Sequence, residues 1–157
     1  MLMQVPEGTI ILKENEVNLD MYKIVNGCVE VYSGYGTDKE ALLGILSKGK
    51  YFGEIGLLAQ KPAAYTVIAY NDVLIQRITM NDIDSYIKNN HHDILQIMMH
   101  MAEAMYDMKY SLDLFMDDLD KKNDNNAKEY KAYFSKQFAK YNVISSAPIS
   151  PTFNRYG

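Results

Sequence analysis

The chain has 157 residues, 48% of them hydrophobic and 23% charged, with a formal net charge of −4. These values fit one ordinary soluble domain with a real core plus an appendage, and are too small for two full domains. No apolar run approaches the ~18 residues of a membrane span, and the opening MLMQVPEGT lacks the charged and apolar regions of a signal peptide, so a cytoplasmic protein with no membrane partner is expected. The single cysteine, Cys28, excludes a disulfide framework and any multi-cysteine zinc or iron–sulfur site within one chain. It follows Asn26-Gly27 at the start of a strand pattern and reads as a small core residue, with a sensor thiol as the alternative. The charge is uneven. Residues 1–120 hold 9 Lys and Arg against 18 Asp and Glu, whereas residues 121–157 hold 7 against 2. Such a basic tail either folds back on its acidic body or meets an acidic partner or nucleic acid; wide spacing of its lysines favours the first.

In chain order, the first hundred residues read as short strands between turn signals, the mark of an antiparallel barrel or jelly roll. Thr9–Leu12 follows Pro6-Glu7-Gly8. Asp20–Asn26 and Cys28–Ser33 are predicted to pair across Asn26-Gly27, a strong hairpin signal. In the second of these, Val29 and Val31 alternate with Glu30 and Tyr32, as one buried and one wet face demand. Glu40–Leu46 comes next, and Ser47-Lys48-Gly49-Lys50 turns the chain into Tyr51–Ala69, YFGEIGLLAQKPAAYTVIA. Tyr65–Tyr70 and Val73–Ile78 are predicted as a further hairpin across Asn71-Asp72.

The segment from Tyr51 carries the chemistry. Gly53 lets the backbone pass close to a ligand and Glu54 places an acceptor beside it. The run Ile55–Leu58 can form a helical turn whose free N–H groups, those of Ile55 and Gly56 included, point at the same spot. This is a seat suited to an anion such as a phosphate.

The pattern resembles the phosphate-binding cassette of cyclic-nucleotide-binding domains: FGE, apolar residues, a short loop, then PR, a small residue or two, and TV. Here it reads FGEIGLL, AQK, PAAYTV. Phe52, Gly53, Glu54, Ile55, Leu57, Leu58, Pro62, Thr66 and Val67 match. The resemblance extends to Tyr22, Ile24, Gly27, Val29 and Val31 on the family's "lYxIxxGxVxV", then to Leu43, Leu46, Gly49 and Phe52, and covers about residues 8–119. It implies a mainly β fold with C-terminal α: a double-stranded β-helix (jelly-roll) barrel, a long dimerisation helix and a short extra helix. There are departures. The family's phosphate arginine is Ala63, and the next position, often Ser or Thr, is Ala64. The only arginines, Arg77 and Arg155, lie outside the cassette, and Lys61 precedes the proline and lacks the bidentate fork. Charge-assisted contacts are worth roughly 1.5–3 kcal/mol each, so affinity for a cyclic phosphate falls roughly tenfold to hundredfold, or the cassette survives only as a barrel corner. Glu14-Asn15 replaces the glycine usual after the first strand, which Asn tolerates because it accepts left-handed backbone. The helices that precede the family's barrel are nearly absent, which leaves one barrel end open unless a partner covers it.

Beyond the barrel the period lengthens. Thr79 with Asp82 reads as a capped helix start, and Ile83, Tyr86 and Ile87 give a short apolar face. A helix from about His92 to Leu119 carries Ile94, Met98, Met101, Met105, Met108, Leu112, Phe115 and Leu119 at alternating spacings of four and three, a heptad seam. In the resemblance this is the helix that pairs two barrels and reaches over the ligand, so a homodimer is expected. Leu95, Ala102 and Met116 form a second stripe expected to face the barrel. Lys109 and Tyr110 fall near the ligand-facing point, where Tyr110 would stack on a base and Lys109 supply charge; the alternative for both is solvation or packing. His91, His92 and His100 present no metal spacing. After Leu119, Ala127–Tyr141 reads as a helix with Tyr130, Phe134, Phe138 and Tyr141 on one face, then an extended end. The 38 residues there are too few for the winged helix-turn-helix of related transcription regulators.

The sequence therefore divides into a barrel with its short following helix (1–90), a dimer helix (91–120) and a basic tail (121–157). No catalytic constellation appears. Three roles follow: a sensor for a cyclic nucleotide or other small anionic effector, with no certain cofactor and no metal; a dimeric scaffold with a degenerate pocket and a protein partner; and, least favoured, a reduced transcription regulator touching DNA through its tail.

Overall fold

The computed structural model describes residues 1–122 and 127–139, without the side chains of 127 and 135–139. The strands are β1 (Leu2–Val5), β2 (Ile10–Leu12), β3 (Met21–Asn26), β4 (Cys28–Ser33), β5 (Ala41–Ser47), β6 (Tyr51–Phe52), β7 (Thr66–Ala69) and β8 (Val73–Ile78). Helix α1 (Glu54–Ala59) interrupts them, and α2 (Ile83–Asn89), α3 (His91–Lys121) and α4 (Ala127–Ala139) follow. The strands form two antiparallel four-stranded sheets, in the orders β1-β8-β3-β6 and β2-β7-β4-β5, which is the expected double-stranded β-helix.

Alternation explains which side chains meet between the sheets. Val29 and Val31 of β4 and Val67 and Ala69 of β7 turn inward with Ile24, Val73 and Ile75 from the facing sheet. Tyr22 and Phe52 stack there at 5.1 Å between ring centroids. Each such aliphatic or aromatic side chain taken fully from water contributes roughly 1.5–3 kcal/mol. A second cluster, Met21, Leu57, Ile78, Tyr86 and Ile97, joins α1, α2 and the first turns of α3 to the outer side of β3 and β8.

The two predicted hairpins do not form. β3 and β4 belong to different sheets, as do β7 and β8. Asn26-Gly27 and Asn71-Asp72 are corners at which the chain crosses from sheet to sheet. Gly27 adopts φ +86°, and a Cβ on it would stand 2.8 Å from both Asn71 Oδ1 and the Asp72 carbonyl oxygen. Asn71 Oδ1 accepts the Cys28 N–H at 3.0 Å, so the two corners interlock. The sequence reading also omits β1, which pairs with β8 from Leu2↔Gln76 to Val5↔Val73. Cys28 is half-buried. Asn15 takes φ +66°, the left-handed conformation expected of it. β5 is an edge strand that exposes Leu42, Leu43 and Ile45.

The chain forms two compact units, Met1–Ile97 and Met98–Gly157. In the first, α3 begins with Ile94 and Ile97 packed in the second cluster. The expected stripe is thus out of phase: Leu95 is 55% exposed, Ala102 is exposed, and Ile97 takes the buried position. In the second unit Met116 is buried, whereas the seam residues Met98, Met101, Met108 and Phe115 are exposed. Met105, Leu112 and Leu119 are half-buried. Lys131 of α4 pairs with Asp117 at 2.8 Å and Lys121 with Asp118 at 3.5 Å, a local neutralisation of basic tail by acidic helix. Of the face predicted on α4, Tyr130 and Phe134 are exposed; the side chain of Phe138, and Tyr141, lie outside the described residues.

Candidate ligand seat

Glycines shape the turn that enters α1. Gly53 adopts φ +82° and ψ 0° as the residue before the helix, and a Cβ there would lie 2.5 Å from the Asp20 carbonyl oxygen. At Gly56 a Cβ would overlap the Asn18 carbonyl oxygen. Both glycines let the cassette lie directly on the segment that leads into β3. Gln60 ends the helix at φ 55°, with its N–H donating to the Gly56 carbonyl at 3.1 Å. The loop returns through Ala63, whose N–H donates to Glu16 O at 2.9 Å and whose carbonyl accepts the Asn15 N–H at 2.8 Å.

Glu54 opens α1 with a carboxylate that faces inward. Its Oε2 is buried and has no hydrogen-bond partner. Burial pushes the Glu54 carboxyl above the ordinary carboxylate range, against a smaller opposing effect of its own backbone N–H. Tyr65 stands next to it. Burial first, and then the Glu54 charge, push the phenol up to about 12, and the Gly53 backbone N–H acts in the opposite direction. Tyr65 packs against the barrel core. What remains between the ring and the cassette is a cavity of about 10 Å³, lined by Gly53, Ile55, Gly56, Ala63, Ala64 and Tyr65 with Leu12 and Asn18. That is close to the volume one water centre needs, and far below the several hundred Å³ of an ordinary ligand pocket.

Five predicted site residues come together here: Gly53, Ile55, Gly56, Ala63 and Ala64 line one cavity, while Glu54, between two of them in the chain, turns a buried carboxylate oxygen away from solvent. Ala63 is buried, Ala64 and Ile55 are exposed, and no cation is among the lining side chains. Lys109 and Tyr110 belong to the second unit, where Lys109 pairs with Asp113 and Tyr110 is exposed. The sequence reading missed Tyr65. Its signal was the bulky residue just before Thr66-Val67, where the cassette pattern has a small one, two positions ahead of the inward Val67.

The model of the cyclic nucleotide-binding domain matches residues 2–90, and the chain belongs to that family. A potassium channel of Arabidopsis thaliana, AKT2/3, is 37% identical over 62 residues, which is 40% of this chain and 8% of the channel. Among solved structures, the catabolite activator protein of Thermus thermophilus superposes with a TM-score of 0.66 at 16% identity, covering 94% of this chain and 82% of its own. A cAMP-bound PfPKA-R fragment superposes with a TM-score of 0.51 at 25% identity, covering 54% of this chain and 30% of its own. The catabolite activator likeness concerns the fold. No helix among the described residues is long and apolar enough to cross a membrane.

Proposed function

We propose that the chain is a non-catalytic sensor module whose barrel takes a cyclic nucleotide, or another small ligand bearing hydroxyl and anionic groups, weakly. The observation that carries this reading is the buried, unpartnered Glu54 Oε2. An acceptor held without a partner costs roughly 1–3 kcal/mol, and a hydroxyl donor from a ligand removes that cost. The PfPKA-R fragment was solved with cAMP bound, which favours a nucleotide. Ala63 brings no charge, so dissociation constants in the micromolar to millimolar range are expected. The test is titration calorimetry with cyclic AMP and cyclic GMP. Weak, saturable heats that vanish in Glu54→Gln support the reading, and no heat at millimolar ligand overturns it.

A second reading rests on the exposed seam of Met98, Met101, Met108 and Phe115 on α3. Large apolar side chains in a row on one helix are the usual material of an interface. We infer a homodimer formed through this helix, so that a protein-interaction role accompanies sensing. The division at residues 90 and 120 is proposed on the same basis.

A further inference from the structure

We propose that Tyr65 is a built-in occupant of the ligand seat, an aromatic gate whose ring takes up the space beside the cassette and must move aside before anything larger than a water molecule enters. The inference rests on the reading of Gly53, Glu54 and the cassette as a ligand seat, and it names the residue that governs access to it.

Four observations converge on this ring. Tyr65 lies two residues before Val67 and four before Ala69, both buried in the barrel core, so the strand period sends it to the same inner side. It packs against that core cluster. It lines the space bounded by Gly53, Ile55, Gly56, Ala63 and Ala64, of which only about 10 Å³ stays empty. Burial and then the Glu54 charge push its phenol up to about 12, with the Gly53 backbone N–H acting against them. The ring thus takes volume that a ligand would need. Two small neighbours, Ala63 and Ala64, line the same space as the ring. The position without its arginine and the tyrosine therefore meet at one space, which the ring takes up in place of a ligand.

Tyr65→Ala empties the seat, and p-cresol, the free form of the lost side chain, is the probe. In this variant p-cresol is expected to bind saturably and raise the melting temperature by about 2–4 °C, with no such effect on the native chain. Cyclic AMP should bind the variant roughly tenfold more tightly than the native chain, because no population is spent displacing the ring, and p-cresol should compete with it. Absence of p-cresol stabilisation overturns the gate. So does an unchanged or weaker affinity for cyclic AMP in a variant that binds it. Cyclic AMP binding by the variant alone, with none by the native chain, would bear out the gate and overturn the native sensor reading. Should Tyr65→Ala not fold, Tyr65→Leu shortens the side chain while keeping it apolar against the core. Cyclic AMP should then bind severalfold more tightly than to the native chain, and an unchanged or weaker affinity overturns the gate.

Discussion

Glu54 is held in a way that costs the fold, and in the proposed reading that cost is what a ligand relieves. Its buried carboxyl has a raised proton affinity, so the folded state binds a proton more tightly than the unfolded chain. The Glu54 contribution to stability is therefore greatest at low pH and is lost as pH rises from the ordinary carboxyl range through the folded value. Glu54→Gln removes a charge that burial disfavours, and should raise stability at neutral pH by about 1 kcal/mol while ligand binding falls. Urea unfolding at pH 7 and pH 4 checks it: the gain should shrink at the lower pH, and a destabilised variant at pH 7 would contradict the account. The glycines beside it are the opposite case. Gly56→Ala must push a methyl into the Asn18 carbonyl, and Gly53→Ala adds a positive φ to a similar clash. Each should lower stability by about 1–3 kcal/mol, read from the denaturation midpoint.

At the level of elements, a polar cluster ties the strand that enters the cassette to the helices behind it. Lys23 of β3 pairs with Asp93 of α3 at 2.6 Å. Tyr86 of α2 donates to the same carboxylate at 3.2 Å, and the Tyr51 and Tyr86 hydroxyls lie 3.2 Å apart. Burial works to raise the Asp93 carboxyl, but hydrogen bonds from Lys23, Tyr51 and Tyr86 outweigh it and hold it below the ordinary range. A depressed carboxyl contributes stability that is full above its unfolded value, about 3.9, and is lost as pH falls through the folded one. Asp93→Asn should therefore cost about 1–2 kcal/mol at pH 7, with the deficit closing below about pH 4; a deficit constant from pH 7 to pH 3 would exclude this origin.

The same elements mark what could be read from the sequence. Val29 and Val31 announced their inner face by alternation, and the FGE turn announced the seat, because both signals are local. The sheet membership of β3, β4, β7 and β8 was hidden, since Asn-Gly serves equally for a hairpin and for a corner between sheets. Ile97 replaced Leu95 because a helix phase drawn from an apolar heptad carries no information about the neighbour it meets. Tyr65 was hidden for a related reason: its meaning depends on the volume left between two sheets.

For the whole molecule, the decisive question is how many chains take part. Met108 is 64% exposed, so Met108→Asp should alter the stability of one chain by under about 0.5 kcal/mol. In a dimer the same change buries two carboxylates in an apolar seam, which is far more costly. Light scattering should give twice the chain mass for the native protein and the single mass for Met108→Asp. A native monomer at tens of micromolar would remove the seam argument. The family match over residues 2–90 fixes the barrel's kinship and leaves the seam to this measurement.

The order of strands also governs the speed with which the barrel is made. Among the described strands only β4 and β5 pair with a neighbour in the chain, whereas β1 waits for β8, β2 for β7, and β3 for β6 and β8. Loop closure must precede most of the gains, which places folding in the slow, millisecond-to-second class of non-local β proteins. The β4–β5 hairpin is the one early piece that can form alone. Gly27 and Asn71, interlocked from opposite parts of the chain, close late and together, so the finished barrel should open as a single cooperative event and not corner by corner.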